Sequence, residues 1–246
     1  VSIRPADPTL PWGSLTAALG AGRRVERVEL KTILDVELER ALSVLDVRVD
    51  RPQLRLVYYL DTPDLALHRR GIIVRTRVTD GVDEDVVVKL RHTEPQVSRR
   101  VRGLALELDV LPDVAIWSAS IKRRLRAGMV LDSIGRRHPA QRLLSRRQRA
   151  LLRAAAGDGF DIDDLVALGP VNVVRLTSGE FENRIDVESW IYPDGSHVVE
   201  LSVKCRPTRS HRVAARLREL IADRQIVMSR QQTTKTQVLM QHLASR

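Results

Sequence analysis

Read for a period of two, the chain repeats one design: apolar residues at alternate positions and charged residues between them. At 25–33, Val28 and Leu30 alternate with Arg27, Glu29 and Lys31. At 72–79, Ile72, Val74 and Val78 alternate with Arg75 and Arg77, and at 85–91 Val86, Val88 and Leu90 alternate with Lys89 and Arg91. Further along, Leu104, Leu106, Leu108 and Val110 alternate with Glu107 and Asp109. Ile185, Val187 and Ile191 alternate with Arg184, Asp186 and Glu188, and Val199, Leu201 and Val203 with Glu200, Ser202 and Lys204. Six strands, each with one apolar and one ionic face, follow from this pattern. Segments 54–61 and 171–177, rich in Val, Leu and Tyr, add two more, and the second places Arg175 among apolar neighbours.

Helical spacing replaces the alternation at 36–45, in a short turn at 64–70 closed by Gly71, in an insert at about 118–168, and at 211–223. Pro193-Asp194-Gly195 and Thr79-Asp80-Gly81 are turn signals of the kind that join neighbouring strands. The expected architecture is α+β: one domain over 1–246, an eight-stranded antiparallel β-tunnel with helices packed outside, and a helical insert at about 118–168. A half-exposed sheet also alternates, but its solvated face usually mixes Ser, Thr and Gln with charge. Here the polar parity is mostly ionic and the pattern repeats. Residues two apart on a strand point the same way and sit roughly 7 Å apart, at a rise of about 3.3 Å per residue, so a pair of them can share one polyanion. If the sheet closes, the ionic face becomes a lumen and the apolar face meets the helices.

With 43% apolar and 29% charged side chains, the 246 residues suffice for a sizeable core. The single cysteine, Cys205, rules out an internal disulfide framework, and no run approaches the length of about 18 apolar residues that a membrane span needs. Residues 1–6 carry no signal-peptide pattern, and a cytoplasmic location with no membrane partner is expected. The net charge of +10 invites nucleic acid, but aromatics are only 3% and none interleave a basic run, so phosphate is implied more strongly than bases. The inward set comprises the cations Arg27, Lys31, Arg75, Arg77, Lys89, Arg91, Arg175, Arg184 and Lys204 and the anions Glu29, Glu107, Asp109, Asp186, Glu188 and Glu200. An excess of cations in a confined site is costly unless an anion is bound, and a triphosphate supplies one. The carboxylates suit Mg2+ or Mn2+, hard cations that prefer oxygen. Only five lysines stand against thirty-six arginines. Lys31, Lys89 and Lys204 fall on the ionic face, Lys235 lies in Thr233-Thr234-Lys235-Thr236, and Lys122 falls in the expected insert. A compact ammonium contacts phosphate as a point charge, without the planar fork of guanidinium.

Several of these residues carry a family resemblance: Glu29-x-Lys31, the run Tyr58-Tyr59-Leu60-Asp61-Thr62-Pro63-Asp64-Leu65-Ala66-Leu67, then Arg69-Arg70-Gly71-Ile72-Ile73-Val74-Arg75-Thr76-Arg77, and Val88-Lys89-Leu90-Arg91. The chain resembles the CYTH superfamily, the triphosphate tunnel proteins, which include class IV adenylate cyclases, thiamine triphosphatases and inorganic triphosphatases. Trp190 to Ser196, Glu200 to Cys205 and Gln231 to Thr236 are similar to actinobacterial CYTH-domain proteins labelled adenylate cyclase. The resemblance implies a tunnel whose basic residues hold phosphates and whose glutamates hold one or two metals. It matches Glu29 and Lys31 to the second glutamate and the lysine of an ExExK signature, Arg75 and Arg77 to the phosphate-binding pair, and Lys89 to the lysine of the next strand. Arg27 stands where the family has its first glutamate, and Ser202 where a second carboxylate of a Glu-x-Glu strand is expected.

The leading expectation is a metal-dependent phosphohydrolase acting on an inorganic or organic triphosphate. Glu29 and Lys31 are its candidate catalytic pair; Arg75, Arg77, Lys89, Arg91, Arg175, Lys204 and Lys235 bind phosphate; Glu29, Glu107, Asp109, Glu188 and Glu200 hold Mg2+ or Mn2+. Two alternatives stay open: a class IV-type adenylate cyclase, and a non-catalytic polyphosphate or nucleotide-binding module, which Arg27 and Ser202 favour. Oligomeric state is not legible. Arg-rich helical stretches at 145–149 and 211–220 read as solvated faces. His68, His92, His138, His197, His211 and His242 lack metal-ligand spacing. Cys205 points away from the tunnel, and Asp61-Thr62-Pro63-Asp64 reads as a strand exit with a helix cap.

Overall fold

The computed structural model describes residues 12–20, 25–45, 52–91, 103–178 and 184–244, so residues 1–6 and His92 lie outside it. Nine strands form: β1 (Arg27–Leu34), β2 (Gln53–Asp61), β3 (Ile72–Thr79), β4 (Asp83–Arg91), β5 (Ala105–Val110), β6 (Ala115–Leu125), β7 (Val166–Ser178), β8 (Ile185–Ile191) and β9 (His197–Cys205). They close into a barrel in the order β1-β5-β6-β4-β3-β2-β7-β8-β9, and β9 pairs back onto β1. The helices are α1 (Ser14–Gly20), α2 (Leu38–Leu45), α3 (Ala66–Arg69), α4 (Met129–Ile134), α5 (Pro139–Leu143), α6 (Arg146–Ala156), α7 (Ser210–Asp223) and α8 (Lys235–Ala244).

The tunnel expected from the alternation is therefore present, with two corrections. Among the described residues there are nine strands rather than eight, and one seam is parallel: Arg27, Val28, Glu29 and Leu30 of β1 run alongside Glu107, Leu108, Asp109 and Val110 of β5. A parallel pair needs a long crossover, which the intervening β2, β3 and β4 provide. The extra strand is β6, whose residues 118–125 fall in the helical insert expected from the sequence. Its stretch Ser118-Ala119-Ser120 has no contrast between apolar and charged parity, so the period of two is silent there. The helices of the insert occupy 129–156, and 166–168 already belong to β7.

The apolar parity faces the helices. Val28, Leu30, Leu108, Val110, Val187, Leu201 and Val203 form one buried cluster with Leu15 of α1, Ala41 of α2 and Val213, Leu217 and Ile221 of α7. Cys205 belongs to this outer cluster. On the other side Val74, Val78, Val86, Val88 and Ile121 bury against Val130, Leu143, Leu151 and Leu152 of α4 to α6. Helix α6 begins in a capping box between Ser145 and Gln148, and the Gln148 amide donates to the carbonyls of Val86 at 3.1 Å and Ile121 at 3.0 Å. Its arginines Arg146, Arg147 and Arg153 are exposed, as expected of a solvated face. Buried Asp61 accepts from the backbone amides of Thr62, Leu67 and His68 at 2.8 to 2.9 Å, which makes it the cap at the strand exit. The helix at the C-terminal end behaves differently: Leu239 and Met240 of α8 cluster with Val57, Tyr59, Ile73, Val173 and Trp190. Tyr59, Ile73 and Trp190 also line the lumen, so α8 packs on inward-facing residues.

Candidate functional site

The lumen holds a cavity of about 430 Å³, within the range of roughly 300–1,000 Å³ usual for small-ligand sites. Eleven cationic and eight acidic side chains line it, among them all five lysines of the chain. The barrel order sorts these charges. Along β6, β4, β3, β2 and β7 lie seven cations, Lys122, Lys89, Arg91, Arg75, Arg77, Arg55 and Arg175, with one acid, Asp85. Along β8, β9, β1 and β5 lie six acids, Asp186, Glu188, Glu200, Glu29, Glu107 and Asp109, with Glu26 just before β1 as a seventh. The cations on that acidic side are Arg27, Lys31 and Lys204, joined by Lys235 from the start of α8. The lumen thus has a basic wall and an acidic wall.

All the residues expected to act on phosphate, metal or water line this one cavity. Of the wider inward set, Arg184 does not; it is exposed just before β8. Ser202 is buried opposite Lys31 in the β1–β9 register, so a carboxylate there would face that lysine. Several lining residues carried no inward signal in the sequence. Arg55 is flanked on its own face by Val57 and Tyr59, and the other face of β2 is also apolar, which leaves no alternation to mark it. Asp85 and Lys122 pair across β4 and β6, and Lys122 was hidden by the helical reading of that segment. Thr234 and Thr236 were visible only as flanks of Lys235.

On the acidic wall the lysines pair with carboxylates, and Lys31 and Lys235 each bridge two. The Lys31 Nζ lies 3.0 Å from Glu29 and 3.2 Å from Asp109, and Lys204 lies 3.8 Å from Glu29. Lys89 reaches across from β4, 2.7 Å from Asp109 and 4.0 Å from Glu107. Lys235 lies 2.6 Å from both Glu188 and Glu200. Glu188 also accepts from Arg55 at 2.9 Å and from the Trp190 indole at 2.9 Å. On the basic wall, Arg77 donates twice to one oxygen of Asp85, at 3.0 and 2.6 Å, while Arg175 pairs with Asp186. Arg91 donates to Thr234 at 2.9 Å and Thr236 at 3.4 Å. Arg75 is the exception: half-buried, it has no hydrogen bond or ion pair among the described residues, and its buried Nε is unsatisfied.

These contacts set the ionisation. Burial alone would lower Lys31 and Lys235, but Asp109, Glu29 and Glu200 around the first, and Glu188 and Glu200 around the second, hold both above the usual lysine range. Burial would raise Asp109, yet Lys31 and Lys89 override it and hold the carboxyl well below its ordinary value. Glu188 is depressed in the same way by Lys235 and Arg55, whereas Glu200 is raised by burial and by Glu188 and Glu29 nearby. Burial brings Arg55 down to about 10, despite the attraction of Glu188, which still leaves it charged at neutral pH.

Mg2+ and Mn2+ require several oxygens converging on one point. Among the described residues no three His, Cys, Asp or Glu side chains do so. The acids expected to hold metal are divided: Glu29, Glu107 and Asp109 surround Lys31 and Lys89, and Glu188 and Glu200 close on Lys235. The donor type suits a hard cation, but in this arrangement ammonium groups stand where it would bind, so the residues do not fit the expected metal. The physical reason is the lysine content of the acidic wall, which neutralises each carboxylate pair from within.

No family model matches the chain, and no curated protein matches it. Solved structures share its fold, two of them from Hippeastrum and Bacillus halodurans. A candidate adenylyl cyclase from Hippeastrum with a dominant triphosphatase activity superposes with a TM-score of 0.67 at 16% identity, over 89% of this chain and 96% of that one. A candidate adenylate cyclase from Bacillus halodurans superposes with a TM-score of 0.60 at 15% identity, over 87% of this chain and 97% of that one.

Proposed function

Given that the chain has the triphosphate tunnel fold of the CYTH type, we propose that it binds an inorganic or organic triphosphate in the lumen and hydrolyses it. The observation that carries this reading is Arg75: a half-buried guanidinium left without a partner, in a cavity whose cations outnumber its acids. Like charges so confined repel unless an anion joins them. Phosphate oxygens placed along the basic wall meet Arg75, Arg77, Arg91, Lys89 and Arg175, which are positioned before the ligand arrives and stabilise charge that spreads over a phosphoryl group in transfer. Across the lumen, Glu29 is the acid we assign to accept a proton from the attacking water, with Lys31 3.0 Å away to hold it in place. The triphosphatase activity of the Hippeastrum protein lends support at the level of the shared fold.

Purified protein incubated with tripolyphosphate or ATP, and analysed for products, tests the reading. Orthophosphate release that is lost in Arg75→Ala supports hydrolysis. Cyclic AMP and pyrophosphate without orthophosphate would replace it with the cyclase reading. Mg2+ or Mn2+ is a variable of that assay, because the acids expected to hold it are engaged by lysines. A second reading, a module that binds without turnover, is favoured by that same engagement. Tight tripolyphosphate binding with no product under any divalent ion would establish it. No described helix is long and apolar enough to cross a membrane.

A further inference from the structure

Lys235 is built into its position more firmly than a surface lysine needs to be. Its backbone carbonyl accepts from the buried Tyr192 hydroxyl at 3.1 Å, and Leu239 and Met240 anchor the same helix in the apolar cluster. Its ammonium sits 2.6 Å from Glu188 and 2.6 Å from Glu200, with the Trp190 ring centre 4.5 Å away. The Trp190 indole donates to the same Glu188 oxygen that Lys235 holds, and Arg55 takes the other. Two cations thus face two carboxylates, with Arg175 a further 3.8 Å from the Glu188 oxygen that Arg55 holds, so the group carries no excess negative charge. A divalent ion entering it brings two further charges into a buried, balanced cluster, or must expel Lys235.

We infer that Lys235 is a resident cation of the acidic wall: its ammonium holds the point between Glu188 and Glu200 at which a divalent ion would have to bind. It thereby supplies from the chain itself the positive charge that wall presents to a triphosphate. The inference rests on the tunnel reading above and specifies how the site is charged. Arg27 and Ser202, where the resemblance calls for acids, fit the same design, since each removes a carboxylate that a metal would use.

Titration of the protein with Mn2+ alone, followed by electron paramagnetic resonance or calorimetry, tests this. Wild type and Glu200→Gln are expected to give the same weak isotherm. Lys235→Ala is expected to gain one site at least about tenfold tighter, roughly 1.4 kcal/mol, and Lys235→Ala/Glu200→Gln to lose it again. Stoichiometric Mn2+ binding by wild type that Glu200→Gln abolishes would overturn the inference, as would a folded Lys235→Ala that gains nothing. If Lys235→Ala does not fold, the comparison of wild type with Glu200→Gln decides alone. Tripolyphosphate titrated in metal-free buffer runs in parallel: failure to bind there removes the triphosphate reading, while the Mn2+ comparison still judges Lys235.

Discussion

Arg75 offers a sharp separation of ligand binding from structure, because its side chain makes no hydrogen bond or ion pair among the described residues. In Arg75→Ala the folded state loses no ion pair and sheds an unsatisfied buried Nε; the repulsion that Arg75 exerts on Arg55 and Arg91 is relieved, and its attraction to Asp85 is lost. Substitutions that break no contact usually change stability by no more than about 0.5 kcal/mol. At about 2–4 °C per kcal/mol for a chain of this size, the melting temperature should move by less than about 2 °C. Affinity should behave otherwise. A hydrogen bond to a charged group contributes about 1.5–3 kcal/mol, so losing one guanidinium contact to phosphate should weaken tripolyphosphate binding by about ten- to 150-fold. Arg75→Lys, which keeps the charge and loses the fork, should fall between. Calorimetry with tripolyphosphate gives the affinity and a thermal melt without ligand gives the stability. An unchanged Kd, or a melting temperature lowered by more than about 5 °C, would refute the assignment of Arg75 as a waiting phosphate contact.

Arg55→Met should do the reverse, since its guanidinium is 7% exposed and holds Glu188 at 2.9 Å: breaking a buried pair costs about 3–5 kcal/mol, and a chemical denaturation curve showing less than about 1 kcal/mol would contradict this. The depressed carboxyl of Asp109 contributes stability that is present above the unfolded value of about 4 and is lost as pH falls toward its folded value. The melting-temperature gap between wild type and Asp109→Asn should therefore be widest near neutrality and narrow as pH falls from about 4 to about 2; a constant gap would show that the Lys31 and Lys89 contacts do not act through this charge. Burial pushes the Cys205 thiol up to about 11, so a thiol reagent at pH 8 should label it only after denaturant is added, and rapid labelling of the native protein would count against its place in the outer cluster.

The strands that were legible are those whose two faces differ in chemistry. In β1, β3, β4, β8 and β9, charge on one parity and Val, Leu or Ile on the other reproduce the lumen and the outer core almost residue for residue. β2 and β6 break that correspondence for opposite reasons. In β2 both faces are largely apolar, because Val57 and Tyr59 turn inward to meet α8 while Leu56 and Leu60 face outward, and Arg55 is hidden in the uniformity. In β6 small residues replace the apolar parity where Ala119 lies under the helices, so Lys122 was read into a helix. The parallel seam of β1 on β5 is set by closure of the barrel and by no local signal. Among the site residues, position in the lumen was legible and partnership was not: the spacing of Glu188 and Glu200 shows two inward acids, but nothing local shows that α8 returns from thirty-five residues past Glu200 to put Lys235 between them.

The ion pairs change what the charge of the lumen means for binding. Were the basic wall simply unpaired, every cation would contribute to the affinity for an anion, and the site would take any polyanion that fits. Instead Arg77 is held by Asp85, Lys89 by Asp109, Arg55 by Glu188 and Arg175 by Asp186. A phosphate oxygen that takes one of these cations displaces a carboxylate oxygen of similar charge, and much of the gain is cancelled by the loss. At Arg75 nothing is displaced. The paired cations thus act mainly by holding their direction, which lowers the ordering cost of binding, while the uncompensated charge at Arg75 supplies attraction. Asp85 lies on the basic wall itself, but Asp109, Glu188 and Asp186 sit on the opposite wall, and release of Asp109 or Glu188 turns negative charge toward the ligand unless the ammonium groups of Lys31 and Lys235 remain with them. The lysines of the acidic wall are therefore required by the same exchange that lets the arginines of the basic wall take phosphate.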